Sequence, residues 1–442
     1  MATPTRILRG WGGTSAPGEE ILGENLEEIA RDAVLTRGLG RSYGDSSLPP
    51  PGAHKVAGST RADQILLFDE ADGLLRGEAG VSLAKIQRVI LPRGWSFPVL
   101  PGTQYVTLGG MVAADVHGKN HHVDGTIGRH VQSLRLLLAD GRVVRCSREE
   151  RADLFRATLG GMGLTGHILE AEVRLQPIPS PWIWAETQRA ESLEDLILGL
   201  RTAASDWPFT VGWLDALATG RGLGRGILIR GRWAEKNEAP TNPPAEKHRM
   251  SVPFYCPGWL LNRVSMRAFN TLYFRRHPRR LKAGIRHPES FFHPLDAVSR
   301  WNRIYGRRGF TQHQCVLPET ERPGATRRFL ESLVSSRAGS FLCVIKDCGE
   351  VGEGLLSFPR PGISIAVDLQ IKRTTQEIVN QLNRRVIAEG GRIYLTKDSL
   401  TRRDHFAAME PRLEAFDAAR RRWDPERRLQ SAQSVRLLEQ AR

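Results

Sequence analysis

The chain has 442 residues, more than one hydrophobic core usually organises, so two domains are expected. Lys and Arg number 63 against 48 acidic residues, a net charge of +15, which points to nucleic acid, an anionic membrane surface or a phosphorylated substrate, or simply to a basic proteome. Five cysteines (Cys146, Cys256, Cys315, Cys343 and Cys348) without paired ligand spacing argue against a disulfide framework or structural zinc, and no apolar run nears the ~18 residues of a spanning helix.

The N-terminal residues lack the long apolar core of a secretory signal, so a cytoplasmic or peripherally membrane-associated protein is expected. An acidic helix is expected around Glu19 to Arg31. Ala33 to Thr36 then reads as a short strand entering Arg37-Gly38-Leu39-Gly40-Arg41-Ser42-Tyr43-Gly44-Asp45, a turn whose successive amides suit an anion. Prolines 49 to 51 follow and forbid the helix that a Rossmann turn requires. Leu74 to Gly80 is a strand and turn, and Ser82 caps a helix that ends at Ile90, ahead of Pro92.

Trp95 to Leu100 runs extended into Pro101 to His122, PGTQYVTLGGMVAADVHGKNHH, the smoothest and most donor-dense stretch of the chain. Gly109 and Gly110 have no side chains to hold a ligand away, Ala113 and Ala114 continue that surface, and His117-Gly118-Lys119-Asn120 adds donors and a cation. This is the layout of a cofactor cradle. Val131 to Leu138, Val143 to Cys146 and His167 to Leu175 read as strands, with a helix at Glu149 to Thr158. Gly160 to Gly166 holds a literal G-x-G-x-x-G, but it follows a helix and precedes a strand, the reverse of the dinucleotide fingerprint.

Gln176 to Pro181 is a proline-rich break and the first expected domain boundary. Beyond it, Trp182 to Glu186 (strand), Ser192 to Ser205 (capped helix) and Phe209 to Leu214 (strand) open a mixed unit, and Glu238 to Lys247 reads as loop. Between Phe254 and Pro288, aromatic and aliphatic residues lead into Arg275, Arg276, Arg279, Arg280, Lys282 and Arg286. That suits an anionic membrane interface, or equally a basic loop beside a core helix. Strands are expected at Gln312 to Leu317, Phe341 to Lys346, Ser364 to Ile371 and Arg392 to Leu395. Helices are expected at Arg327 to Ser336, Glu377 to Ala388, Asp404 to Met409 and Pro411 to Arg421, with Trp423-Asp424-Pro425 closing the compact part.

In this order, GLGRSYGD, PGT…TLGGMVAADVHGKNHH and GGMGLTGHILEAEV resemble the PCMH-type FAD-binding domain of the vanillyl-alcohol-oxidase-like flavoproteins. HGKNHH, FFHPLDAVSRWNRIYG, LSFPRPG and IYLTKDS narrow the resemblance, from about Thr36 to about Arg428, to the decaprenylphosphoryl-β-D-ribose 2′-oxidase family. It implies an α+β fold of two domains, FAD-binding at 1–177 plus 391–442, with an inserted mixed α/β substrate domain at 178–390. It implies FAD contacts at Thr36, Arg37, Gly38, Leu39, Gly40, Arg41, Ser42, Tyr43, Gly44, Asp45 and Ser46. Further contacts are implied at Gly102, Thr107, Leu108, Gly109, Gly110, Ala114, Asp115, Val116, His117, Ile168 and Tyr394. Related oxidases that tether flavin often carry histidine where this chain has Arg41, so non-covalent FAD is expected.

The resemblance also implies FAD-dependent oxidation of the C2 hydroxyl of a polyprenyl-phosphoryl ribose, with the keto product passing to a short-chain dehydrogenase-like reductase. Lys397 and His117 would be catalytic, and Lys119, Gln312, Gln314 and Lys346 would hold substrate. A lysine at 397 suits charge developing on flavin and alkoxide, and Gln312 and Gln314, two apart on a strand, share a face. Ala366, Ser364, Phe292 and Cys348 depart from the family pattern, where mycobacterial members have cysteine, asparagine, tyrosine and phenylalanine, and this bears on which lipid and sugar fit. Alternatives are a soluble sugar-alcohol or aldonolactone oxidase, and a basic nucleic-acid-binding protein. A metal pair from His117 and His121 would need a helix that Gly118 and Asn120 disfavour, so no metal is expected.

Overall fold

The computed structural model describes residues 5–52, 54–245, 249–277 and 279–439, and the fold is α+β. Three sheets position the site. A four-stranded sheet runs Arg6–Arg9, Ser15–Leu22, Lys55–Gly58, Leu35–Arg37, and a five-stranded sheet runs Ile65–Asp69, Leu74–Glu78, His167–Arg174, Val131–Leu137, Val143–Ser147. The eight-stranded sheet has the order Lys282–Arg286, Ile183–Ala190, Gly226–Trp233, Phe209–Leu214, Cys343–Cys348, Gly362–Gln370, Phe310–Leu317, Arg392–Ile393.

Side-chain alternation in the large sheet separates packing from chemistry. Cys315, Cys343, Ile345, Ile363, Ile365 and Val367 pack with Leu196, Phe329, Leu333 and Leu382 of the covering helices Leu193–Ala204, Ala325–Ser335 and Thr375–Ala388. Gln312, Gln314, Val344, Lys346 and Ala366, from the same strands, face a cavity on the other side. A second core joins the five-stranded sheet to the helix Leu83–Ile90, where Leu83, Ile86, Gln87 and Ile90 are buried and Ser82 Oγ accepts from Lys85 N at 3.2 Å. Each such buried Leu, Ile or Phe contributes about 1.5–3 kcal/mol.

Most expected elements form, with four corrections. Glu19 to Leu22 is strand rather than helix, paired in parallel with Lys55–Gly58 and continuing residues 15–18, which pair with Arg6–Arg9, and the helix is only Leu26–Ala30, started by the Asn25 cap. Gly226–Trp233 is a central strand that its arginines and glycines hide in the sequence. Gly231 is needed there because a Cβ would strike the Phe291 ring. The basic stretch after Phe254 is not a loop, since Arg275 and Arg276 end the helix Arg263–Arg276, begun by an Asn262–Ser265 capping box, and Lys282–Arg286 is an edge strand of the large sheet. Finally, the compact part does not close at Pro425, since the helix Ala432–Leu437 buries Ser434 and Leu437 and returns Arg436 to Asp45. Of the loop expected at 238–247, residues 246 and 247 lie outside the described residues.

Candidate active site

A cavity of about 740 Å³ lies between the Gly38–Ser42 turn, the helix Leu108–Ala113 and the open face of the large sheet. The turn's shape is dictated by close approach. A Cβ on Gly38 would collide with the Thr107 hydroxyl, one on Gly44 with the Asp398 carbonyl, and Gly40 has φ +63°. Among the described residues, the backbone amides of Leu39, Gly40, Arg41 and Ser42 have no hydrogen-bond partner, and the buried Ser46 hydroxyl also lacks one. Buried or cavity-facing donors left open in this way favour an anionic ligand.

Opposite the turn, Thr107 Oγ1 caps the helix by accepting from Gly110 N at 3.2 Å, and Gly109 presses against Ala79. A Cβ on Gly102 or Gly163 would meet nothing within 4 Å, so bare backbone faces the cavity there. Ala114, Val116 and Ile168 complete this wall, with Tyr394, whose hydroxyl donates to Ala114 O at 3.0 Å. A flat, diphosphate-bearing ligand fits these walls: open amides for the phosphates and smooth backbone for rings.

Five residues expected at the cofactor stand behind the wall instead. Arg37 donates to Ser47 O and Arg9 O, Asp45 accepts from Arg436, Asp115 accepts from Gly128 N and Ser357 Oγ, and Gly44 and Leu108 are packing positions. The side chains of Arg37, Asp45 and Asp115 make structural hydrogen bonds, and these five residues do not line the cavity. Sequence reading named no contact at Trp11, Met162, Gly163 and Thr396 on the wall; Met162 and Gly163 lie in the Gly160–Gly166 motif that was set aside as a dinucleotide fingerprint, and Trp11 and Thr396 sit in no glycine turn and carry no charge.

At the far end the expected polar residues converge. His117 is buried; Lys346 Nζ donates to its Nδ1 at 3.1 Å, and the Gln314 amide lies 3.1 Å from its Nε2 and donates to Ser364 Oγ at 3.3 Å. Burial, aided by Lys346, His121 and Lys397, holds its pKa well below the usual histidine value, so the ring is neutral. Lys119 Nζ donates to Phe292 O at 3.1 Å, and burial lowers its pKa to about 7; burial also brings Lys346 to about 8. Lys397 Nζ stands 3.7 Å from the centroid of the Tyr43 ring, with its pKa lowered to about 7 by burial against the opposing pull of Asp368.

Asp368 was not foreseen. Its carboxylate accepts from Tyr305 Oη at 2.7 Å and Gln312 Nε2 at 2.5 Å, and burial raises its pKa to about 6. Of the departures, Ala366 and Phe292 line the cavity, Ser364 touches Gln314, and Cys348 is buried beside Phe358 and Tyr394 with its thiol pushed up to about 12. Arg41 lies over the Trp11 ring at 4.1 Å and faces Asp296. His121 Nδ1 accepts from Gly349 N, and among the described residues no cluster of three metal-ligating side chains occurs.

Residues 27–147 match the FAD binding domain family. The chain is 34% identical to decaprenylphosphoryl-beta-D-ribose oxidase of Mycolicibacterium smegmatis, over 96% of this chain and 95% of that protein. It belongs to the decaprenylphosphoryl-β-D-ribose oxidase family. A Streptomyces coelicolor protein named for its position in the mprA 5′ region is 32% identical over 78% of this chain and 96% of its own length. A putative D-arabinono-1,4-lactone oxidase of Neurospora crassa is 28% identical over 40% of this chain and 33% of its own. As a family member the chain is an FAD-dependent oxidoreductase, and the turn and helix that form the cradle fall inside the matched FAD domain.

Proposed function

We propose that the chain oxidises the C2 hydroxyl of a polyprenyl-phosphoryl ribose to the 2-keto sugar, the first half of an epimerisation to arabinose. The observation that carries this reading is the polar end of the cavity: three half-buried lysines, one neutral histidine and two glutamines converge beside a backbone-lined flavin cradle. FAD, when bound, supplies the hydride acceptor. Oxidation also removes the proton of the C2 hydroxyl, which passes to a base or water, and we assign Lys397 the cation's role: its ammonium stabilises the oxygen as negative charge develops. Lys346 holds His117 neutral and oriented by donating to Nδ1, leaving the other ring edge to Gln314 and substrate. Lys119 and Lys346 supply positive charge for sugar oxygens or phosphate, and Gln312 and Gln314 orient the ring.

In the same reading, residues 1–177 plus 391–442 make the FAD-binding domain and 178–390 the substrate domain. The four- and five-stranded sheets, built from residues before 177, and the large sheet, built from residues after 182, support the division at 177; the edge strand Arg392–Ile393 links the C-terminal segment to the large sheet. Arg41, fixed over Trp11 in the first turn, supports a non-covalent flavin. A short-chain dehydrogenase-like reductase would take the keto product, and residues 254–288 would touch a membrane. Among the described residues, no helix is long and apolar enough to cross one. Anaerobic incubation with polyprenyl-phosphoryl ribose should bleach the flavin absorbance. Bleaching by free polyols or aldonolactones, and none by the lipid-linked sugar, would replace this reading with that of a soluble sugar oxidase.

A further inference from the structure

We propose that the outer face of the 263–276 helix docks on an anionic lipid bilayer and so holds the cavity mouth at the membrane surface, an inference that rests on the lipid-linked substrate proposed above. The helix is anchored on its inner side by the buried Met266, Asn270 and Phe274. Asn270 Nδ2 donates to Asp215 Oδ1 at 2.8 Å and to Ser340 O at 3.1 Å. Helical spacing then turns two columns outward: Arg263, Arg267 and Arg275 beside Val264, Ala268 and Leu272. Val264 is 79% and Leu272 69% exposed, and Trp259, 74% exposed, stands just before the helix.

These cations are uncommitted. Among the described residues, Arg263, Arg267, Arg275 and Arg276, and the basic residues at 280, 282 and 286, have no ion-pair partner, whereas Arg279 reaches Glu191 at 3.4 Å. A protein interface core is depleted in charge, and a nucleic-acid face has no use for exposed Trp, Val and Leu side chains. A bilayer interface takes both, with apolar side chains entering the acyl boundary and arginines at the lipid phosphates. The opposite edge of the same helix supplies Phe269, Tyr273 and His277 to the catalytic cavity. Phe269 is on that wall yet 48% exposed, so the cavity reaches the surface along this helix. A polyprenyl chain leaving the cavity there meets the bilayer at once.

The test uses the full-length holoenzyme and two kinds of vesicle, phosphatidylcholine alone and phosphatidylcholine with phosphatidylglycerol. Sedimentation should carry the protein down with the anionic vesicles, less so as salt is raised. Arg263→Glu/Arg267→Glu/Arg275→Glu should lower partitioning about a hundredfold. Val264→Ser/Leu272→Ser should also weaken it, with the flavin spectrum unchanged in both variants. Oxidation of a short-chain, water-soluble prenyl-phosphoryl ribose should be the same in wild type and variants, while oxidation of the long-chain lipid in vesicles falls in the variants. Equal binding to both vesicles, unaltered binding of the triple variant, preference for duplex DNA over vesicles, or loss of short-chain oxidation in the variants would overturn the proposal. Vesicle binding as expected without oxidation of either substrate supports docking and tells against the substrate reading alone.

Discussion

Three lysines in one buried cavity leave a signature in stability. With pKa values lowered to about 7 at Lys119, about 8 at Lys346 and about 7 at Lys397, the folded state gives up protons that the unfolded chain keeps up to the ordinary lysine value of 10.5. The unfolded state therefore binds more protons between these limits, and these groups favour folding increasingly as pH rises through that window. Lys397→Met should accordingly gain most over wild type near pH 6 and least near pH 9 in thermal melts of the apoprotein, and a gap that ignores pH would mean that Lys397 is solvated. Asp368 acts on the same lysine in the opposite sense, raising its pKa. If Lys397 works as a cation, kcat/KM declines as pH rises through its pKa, and Asp368→Asn should move that decline to lower pH, read from the pH profile of the variant. The glutamines were legible because strand period places 312 and 314 on one face. Asp368 was not, because it meets Gln312 only through the register of two strands, Gln312 opposite Asp368, which no local pattern encodes.

The glycine turn and the 108–113 helix work as a pair, since Gly38 and Thr107 are in contact and Thr107 is also the helix cap. Gly38→Ala inserts a methyl into the Thr107 hydroxyl and separates the two walls, so the protein should purify with little flavin and add it back at least tenfold more weakly in a fluorescence titration. Undiminished flavin affinity would show that the walls adjust independently. The helix Leu108–Ala113 was not named in the sequence reading, but the turn and the smooth wall at 109–114 were readable because Gly reports backbone demands directly. The strand Gly226–Trp233 was not, since its stability comes from pairing on both edges and from Phe291 packing over Gly231 rather than from β-propensity. The segment Glu19–Leu22 misled for a related reason: its acidic composition suits a surface helix, but the parallel ladder to Lys55–Gly58 overrides propensity.

At the scale of the whole molecule, the C-terminal segment ties the cofactor wall to the large sheet. Arg392–Ile393 adds an edge strand to that sheet, Phe406, Met409 and Phe416 join its helix-side core, and Thr396 O accepts from Tyr43 N at 2.9 Å. Arg436 completes the tie by donating to both oxygens of Asp45 at 2.9 and 2.8 Å while pairing with Asp398 at 2.9 Å. The sequence reading closed the compact part at Pro425, and no local pattern announces that one arginine bridges carboxylates some 350 residues apart along the chain. Arg436→Met should strand two buried carboxylates and destabilise the protein by about 3–5 kcal/mol. Burial raises the Asp45 pKa despite its partner, whereas Arg436 and the surrounding hydrogen bonds hold Asp398 below the ordinary carboxylate value. For Asp398 the stabilisation is present at neutral pH and lost as pH falls through its lowered pKa; for Asp45 protonation in acid removes the unpaired charge that the variant leaves behind. Both effects make the gap between wild type and Arg436→Met shrink toward acid pH, measured by thermal melts. Because Asp45 follows the flavin turn directly, the variant should also release FAD during gel filtration. Retention of flavin with lowered stability would confine the tie to folding and separate it from the cofactor wall.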